Sequence, residues 1–153
     1  MHKYEQTGVL LPSDLRLPTE EQLEKGVAIS ECVQEIPCNP CVDSCPVHAI
    51  SMKDINAIPI IDYNRCIGCC RCVGVCPGLA LFVVKKRHDR AFVTLPYEFV
   101  PFPKKGDRVE AVNRWGKRVD DGIVTRVQKQ GKTNVITISV KQGNAMDVRN
   151  IKV

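Results

Sequence analysis

Apolar residues in the last third of the chain recur mostly at every second position. In Gly106-Asp107-Arg108-Val109-Glu110-Ala111-Val112, Gly122-Ile123-Val124-Thr125-Arg126-Val127 and Asn134-Val135-Ile136-Thr137-Ile138-Ser139-Val140 they alternate with polar residues, and turns rich in Gly, Asn and Lys separate the runs. With Met146-Asp147-Val148 added, this predicts four or five short strands. Leu81–Lys85 and Ala91–Leu95 flank Arg87-His88-Asp89-Arg90 as a further hairpin, and Ala49–Met52 with Ile58–Asp62 form a shorter one. One segment carries helix signals at both ends: Thr19 as N-cap, Gln22 as its reciprocal partner and Gly26 as the stop. Pro46 and Pro77 are expected to open two short helices, because proline is tolerated in a first helical turn. Met1–Arg16 shows no such order and reads as a frayed arm.

At 153 residues the chain has room for one ordinary domain or two small ones. Composition breaks at the proline-rich Leu95-Pro96-Tyr97-Glu98-Phe99-Val100-Pro101-Phe102-Pro103, an expected extended connector. The charge breaks there too. Residues 1–99 hold 10 Lys and Arg against 12 Asp and Glu, and residues 100–153 hold 12 against 5. The formal +5 therefore conceals a mildly acidic first part and a basic tail. Strand number and spacing in the tail predict a small barrel of SH3 or KOW type. No stretch reaches the length of a membrane span, and Met1-His2-Lys3-Tyr4-Glu5-Gln6 has no apolar signal core, so a soluble cytoplasmic protein is expected.

The cysteines change the picture most. Cys66-Ile67-Gly68-Cys69-Cys70-Arg71-Cys72-Val73-Gly74-Val75-Cys76-Pro77 reads C-x2-C-x2-C-x3-C-P. Stepping back 31 residues aligns Cys69, Cys72, Cys76 and Pro77 with Cys38, Cys41, Cys45 and Pro46. Zinc would need four ligands per ion rather than three in a short run followed by C-P. Disulfides would need an oxidising compartment, and the cysteine count of 9 is odd. The duplicated pattern resembles the two-cluster bacterial-type ferredoxins, over about residues 27–95. That resemblance implies an α+β fold with a ferredoxin-type core and two 4Fe–4S clusters. It divides the chain into an arm with a short helix (1–30), a two-cluster domain (31–95), a linker (96–103) and a small β-barrel-like domain (104–153).

In such ferredoxins the cysteine before each proline serves the other motif's cluster. The resemblance therefore assigns Cys66, Cys69, Cys72 and Cys45 to one cluster, and Cys38, Cys41 and Cys76 to the other. The second cluster's Cys66 has Glu35 as its counterpart in the first motif, so one ligand is displaced. Cys32 is the expected substitute, because soft thiolate suits iron–sulfur better than carboxylate does. The other reading makes Cys32 a buried apolar residue beside a three-iron cluster. Cys70 is expected to be a small packed thiol and not a ligand. Gly68 and Gly74 would let backbone amides approach cluster sulfur, while Pro40 removes one donor from the first loop.

No phosphate-cradling loop, nucleophile motif or dinucleotide fingerprint accompanies the cysteines, and His2, His48 and His88 are scattered. A chain with clusters and no substrate chemistry relays electrons rather than acting as an enzyme itself. The altered first motif, the N-terminal arm and the β-rich tail resemble the small iron–sulfur subunit of heteromeric flavoprotein dehydrogenases, those oxidising proline or hydroxyproline above all. That likeness implies a flavoprotein dehydrogenase subunit as partner in a hetero-oligomer. A basic β-tail that binds nucleic acid is the competing class, and a free ferredoxin the third. Against nucleic acid stand a single Trp, no stacking platform, and the interrupting Asp107, Glu110, Asp120, Asp121 and Asp147. Trp115, between Arg114 and Lys117, is expected either to anchor an interface or to close one end of the barrel.

Overall fold

Alternating strands need a partner surface for their apolar side, and in this chain they find it in one another. The structure, a computed structural model, describes residues 2–153; Met1, the first residue of the expected arm, lies outside them. Its main element is a seven-stranded antiparallel sheet in the order β1-β4-β5-β8-β7-β6-β9. The strands are β1 (Val27–Ser30), β4 (Leu81–Arg87), β5 (Arg90–Tyr97), β6 (Arg108–Val112), β7 (Arg118–Gln130), β8 (Thr133–Lys141) and β9 (Asn150–Lys152). β2 (Ile50–Ser51) and β3 (Ile60–Ile61) pair separately as the short expected hairpin.

The expected hairpin of β4 and β5 is present, pairing Val83 with Thr94 through Arg87 with Arg90. Residues 81–84 are all buried, so β4 is covered on both faces. Leu81 and Val83 turn toward the cysteine loops, whereas Phe82 lies 5.1 Å beneath the Arg149 guanidinium. The fully buried side chains include Ile29, Leu81, Leu95, Ile136, Ile138 and Val73, drawn from the cysteine loops and the tail alike.

The tail forms strands over the expected runs in 106–112, 122–127 and 134–140, whereas Met146-Asp147-Val148 lies in a turn ahead of β9, and the strands do not close into an SH3- or KOW-like barrel. β8 pairs with β5 along eight positions, from Arg90↔Lys141 to Tyr97↔Asn134, so its second edge is occupied by the hairpin next to the cysteine loops. β9 takes the outer edge of β6. The result is an open sheet with β1 and β9 at its ends. Register shifts at Ala111/Val112 and Val124/Arg126 mark bulges, which bend strands and strengthen twist.

Helices are few and short. α2 (Glu20–Lys25) has the expected ends: Thr19 Oγ1 accepts from Gln22 N at 3.3 Å, Gln22 Oε1 accepts from Thr19 N at 2.9 Å, and Gly26 ends it at φ 91°. The arm carries more order than expected. α1 (Lys3–Thr7) ends at Gly8, φ 72°, whose N–H reaches Tyr4 O at 2.8 Å. Arg16 then ties the arm down, donating to Ile61 O at 2.7 Å and stacking over the Tyr63 ring at 4.8 Å. The expected helices at Pro46 and Pro77 are turns. The helices lie one loop earlier, as α3 (Pro40–Ser44) and α4 (Arg71–Val75), with Pro40 in the first turn of α3. His48 and Leu79, at φ 51° and 53°, cannot continue a right-handed helix after those prolines.

Candidate metal centre

The 31-residue repeat is also a repeat of backbone structure. α3 and α4 begin 31 residues apart, at Pro40 and Arg71. Cys45 and Cys76 then end these helices with matching turns. His48 N donates to Cys45 O at 3.3 Å and Leu79 N to Cys76 O at 3.2 Å. Ala49 N reaches Cys45 Sγ at 3.2 Å, and Ala80 N reaches Cys76 Sγ at 3.4 Å. Each C-P cysteine is thus fixed by its own loop, with an amide aimed at its sulfur. A third such bond runs from Ala28 N in β1 to Cys66 Sγ at 3.2 Å.

Two cavities collect the thiols. Cys32, Cys38, Cys41 and Cys76 line the first, of about 250 Å³, together with apolar Ile36, Ala57, Pro59 and Leu81. Cys45, Cys66, Cys69, Cys70 and Cys72 line the second, which is much tighter at about 20 Å³. Each cavity therefore mixes cysteines of both motifs. The same grouping shows in the thiol acidities. Burial pushes Cys41 up to about 11, with Cys76, Cys32 and Cys38 adding to the rise against a lowering bond from Val42 N–H. Burial raises Cys72 further, reinforced by Cys66, Cys69 and Cys70, and by Cys41 across the space between the two groups.

Glu35 is exposed and does not line the first cavity, although Gln34 and Ile36 on either side do. Cys32, directly after β1, does line it, with its N–H held by Ser30 Oγ at 3.2 Å. Cys70 occupies the left-handed region at φ 69° and is buried, its Sγ 3.4 Å from Gly68 O. Burial raises its thiol, countered by a hydrogen bond with Thr94 and by Arg126.

Both glycines of the second motif also sit in tight packing. Gly68, φ 67°, lies where a Cβ would sit 3.0 Å from the Gly26 carbonyl oxygen, and a Cβ on Gly74 would meet the Gln130 side chain at 1.9 Å. Gly68→Ala should therefore cost about 1–2 kcal/mol from the left-handed backbone alone. A denaturation midpoint unchanged from the parent would contradict this.

A buried ionic group beside the first cavity has no signature in the cysteine pattern. Glu31, which lines that cavity, accepts from Arg114 Nε at 2.5 Å and Arg149 Nε at 2.7 Å. All three side chains are at most 10% exposed. Burial pushes the Arg149 guanidinium down to about 10, against the pull of Glu31, so it stays charged at neutral pH. Arg114 Nη1 also donates to Met146 O at 2.8 Å, while its Nη2 is buried without a partner. Only the distance of 83 and 118 residues between these partners hid them from sequence reasoning. Trp115 sits in the turn between β6 and β7, 56% exposed, and closes no barrel end.

Four or five thiolate donors per cavity, apolar walls and N–H···S bonds are the donor set and surroundings that iron–sulfur clusters take. Among the described residues no three His, Cys, Asp or Glu converge tightly enough to hold a single ion.

The comparisons with known proteins agree. Residues 30–80 match the 4Fe–4S dicluster domain family. The chain thus carries a 4Fe–4S dicluster domain, with two 4Fe–4S clusters as its cofactors. It is 31% identical over 74 residues to the polyferredoxin-like subunit of an aliphatic sulfonate oxidoreductase of Pyrococcus furiosus, covering 48% of this chain and 42% of that one. It is 50% identical over 44 residues to an uncharacterized ferredoxin of Methanocaldococcus jannaschii, 29% of this chain and 28% of the relative. It is 53% identical over 38 residues to the thiosulfate reductase electron transfer subunit of Salmonella typhi, 25% of this chain and 19% of the relative. The chain spans less than half the length of each of these relatives. No solved structure matches it. Among the described residues no helix is long and apolar enough to cross a membrane.

Proposed function

We propose that the chain is an electron-transfer iron–sulfur subunit that relays single electrons to or from the catalytic subunit of an oxidoreductase. The observation that carries this is the sorting of the motif cysteines into two neighbouring cavities, each drawing on both motifs. Cys32, Cys38, Cys41 and Cys76 hold one cluster in this reading, and Cys45, Cys66, Cys69 and Cys72 the other. The bound clusters supply one-electron couples. Ala28, Ala49 and Ala80 amides offset thiolate charge, and the apolar cavity walls exclude water.

The partner in this proposal is a flavin-containing dehydrogenase subunit, of the amino-acid-oxidising kind, in a cytoplasmic hetero-oligomer. The altered first motif and the added arm and tail support it. A flavin gives up two electrons, and two one-electron centres in line can take them singly. The sulfur-compound activities in the relatives' names favour a second reading, in which the catalytic partner acts on a sulfur compound.

Anaerobic native purification tests the proposal. A flavin-containing subunit should co-purify in fixed ratio, and its substrate should bleach the cluster absorption. Recovery of a chain with intact clusters and no oxidoreductase partner would contradict the subunit reading.

A further inference from the structure

We propose that a basic groove across β4, β5, β7 and β8 is the docking surface for an acidic one-electron carrier protein, which exchanges electrons with the second cluster at the Cys69–Cys70 turn. This rests on the iron–sulfur reading above. The groove, about 300 Å³, is lined by Lys85, Arg87 and Arg126 and by Thr94, Thr125 and Thr137. No Asp or Glu lines it. Among the described residues, neither Lys85 nor Arg87 makes an ion pair, and Arg126 donates to Gln128 Oε1 at 3.0 Å. The neighbouring acids leave this charge standing. Glu20 is taken by Lys86 at 3.0 Å, and Glu24 lines a separate cavity that Arg87 also reaches.

The threonines are already satisfied. Thr94 and Thr137 hydroxyls bond each other at 2.8 Å, and Thr125 Oγ1 donates to Thr137 O at 3.2 Å. The unspent groups of the groove are therefore its cations. Its floor is what makes it more than a solvated face. Gly68 and Cys70 line the groove, and Cys70 also lines the second thiol cavity. Cys69, between them, is the exposed cysteine among the nine. The loop that carries the second cluster's Cys69 thus meets the groove at Gly68 and Cys70, beside three positive charges that make no ion pair among the described residues. Cationic surfaces of this kind attract and orient carboxylate-bearing partners. Nucleic acid fits less well, because Phe92 is the groove's only aromatic and offers no stacking series. In the direction of the proposed function one electron passes from the reduced second cluster to the carrier's oxidised centre. The reverse transfer from a reduced carrier uses the same contact, and no bond or proton changes place.

The test uses the full chain with its clusters and an acidic plant-type [2Fe–2S] ferredoxin as probe. Binding of the oxidised ferredoxin should weaken steeply with salt. In Lys85→Glu/Arg126→Glu its Kd should rise at least about tenfold, with electron transfer from the reduced ferredoxin slowed to match. Lys85→Gln/Arg126→Gln should show a smaller shift of the same sign, and Lys104→Glu/Lys132→Glu in the tail should leave both measurements unchanged. Equal weakening by groove and tail variants, or by neither, overturns the docking proposal. Iron and sulfide content is measured first. A parent chain without clusters sinks the iron–sulfur reading, whereas intact clusters with unaltered binding sink the docking site alone.

Discussion

Glu31→Ala should destabilise the protein by about 3–5 kcal/mol, because it strands two buried guanidiniums. Glu31 now accepts from both Arg114 and Arg149, and all three side chains are at most 10% exposed, so water compensates little. Arg149 is buried and already has its charged form disfavoured by that burial, so losing its counter-ion leaves the cost unopposed. Replacing Glu31, Arg114 and Arg149 together by apolar residues of similar volume should restore most of the loss, since paired removal leaves no buried charge. Anaerobic denaturant titration of the cluster-loaded chain reads the effect. A loss below about 1 kcal/mol would show the group to be screened like a surface pair. The same group joins the tail to the segment carrying Cys32, so truncation after Pro103 should disturb the first cluster as well as the sheet.

Cys32→Ser should remove iron from the first site, converting its cluster to a three-iron form or emptying it, so that iron falls from about eight per chain to about seven or to about four. Glu35→Gln and Cys70→Ala should each keep the full complement. The geometry behind this is plain: Cys32 lines the first cavity with Cys38, Cys41 and Cys76, and Glu35 faces solvent. Cys70 lines the second cavity, but that cavity already has four other thiols and Cys70 Sγ is turned to Gly68 O. Iron analysis with electron paramagnetic resonance of the oxidised variants distinguishes the cases. Loss of iron in Glu35→Gln with none in Cys32→Ser would make Glu35 the ligand.

What the sequence made legible was local. The capping box at Thr19 and Gln22, the β4–β5 hairpin and the tail strands all rest on neighbours a few residues apart. The 31-residue cysteine period reappears as two short helices, each followed by the same turn at its C-P cysteine. What stayed hidden was long-range. Alternation in residues 134–140 says that one face is buried and not which strand covers the edge, so β8 pairs with β5 instead of closing a barrel. The proline rule fits Pro40 as well as Pro46 and says nothing of α4, which opens at Arg71; the left-handed residues His48 and Leu79 are what keep Pro46 and Pro77 from opening helices. Glu31, Arg114 and Arg149 look like ordinary surface charges until folding brings them together. The same holds for Lys85, Arg87 and Arg126, which β4 and β7 bring to one groove.

The decisive measurement is the iron and acid-labile sulfide content of the anaerobically purified chain, with Mössbauer spectra of iron-57-enriched protein. Two cubanes require about eight iron and about eight sulfide per chain, in valence-delocalised four-iron spectra. Stoichiometric zinc with no sulfide, or iron in a single cluster while all eight expected cysteines are intact, would contradict the two-cluster electron relay.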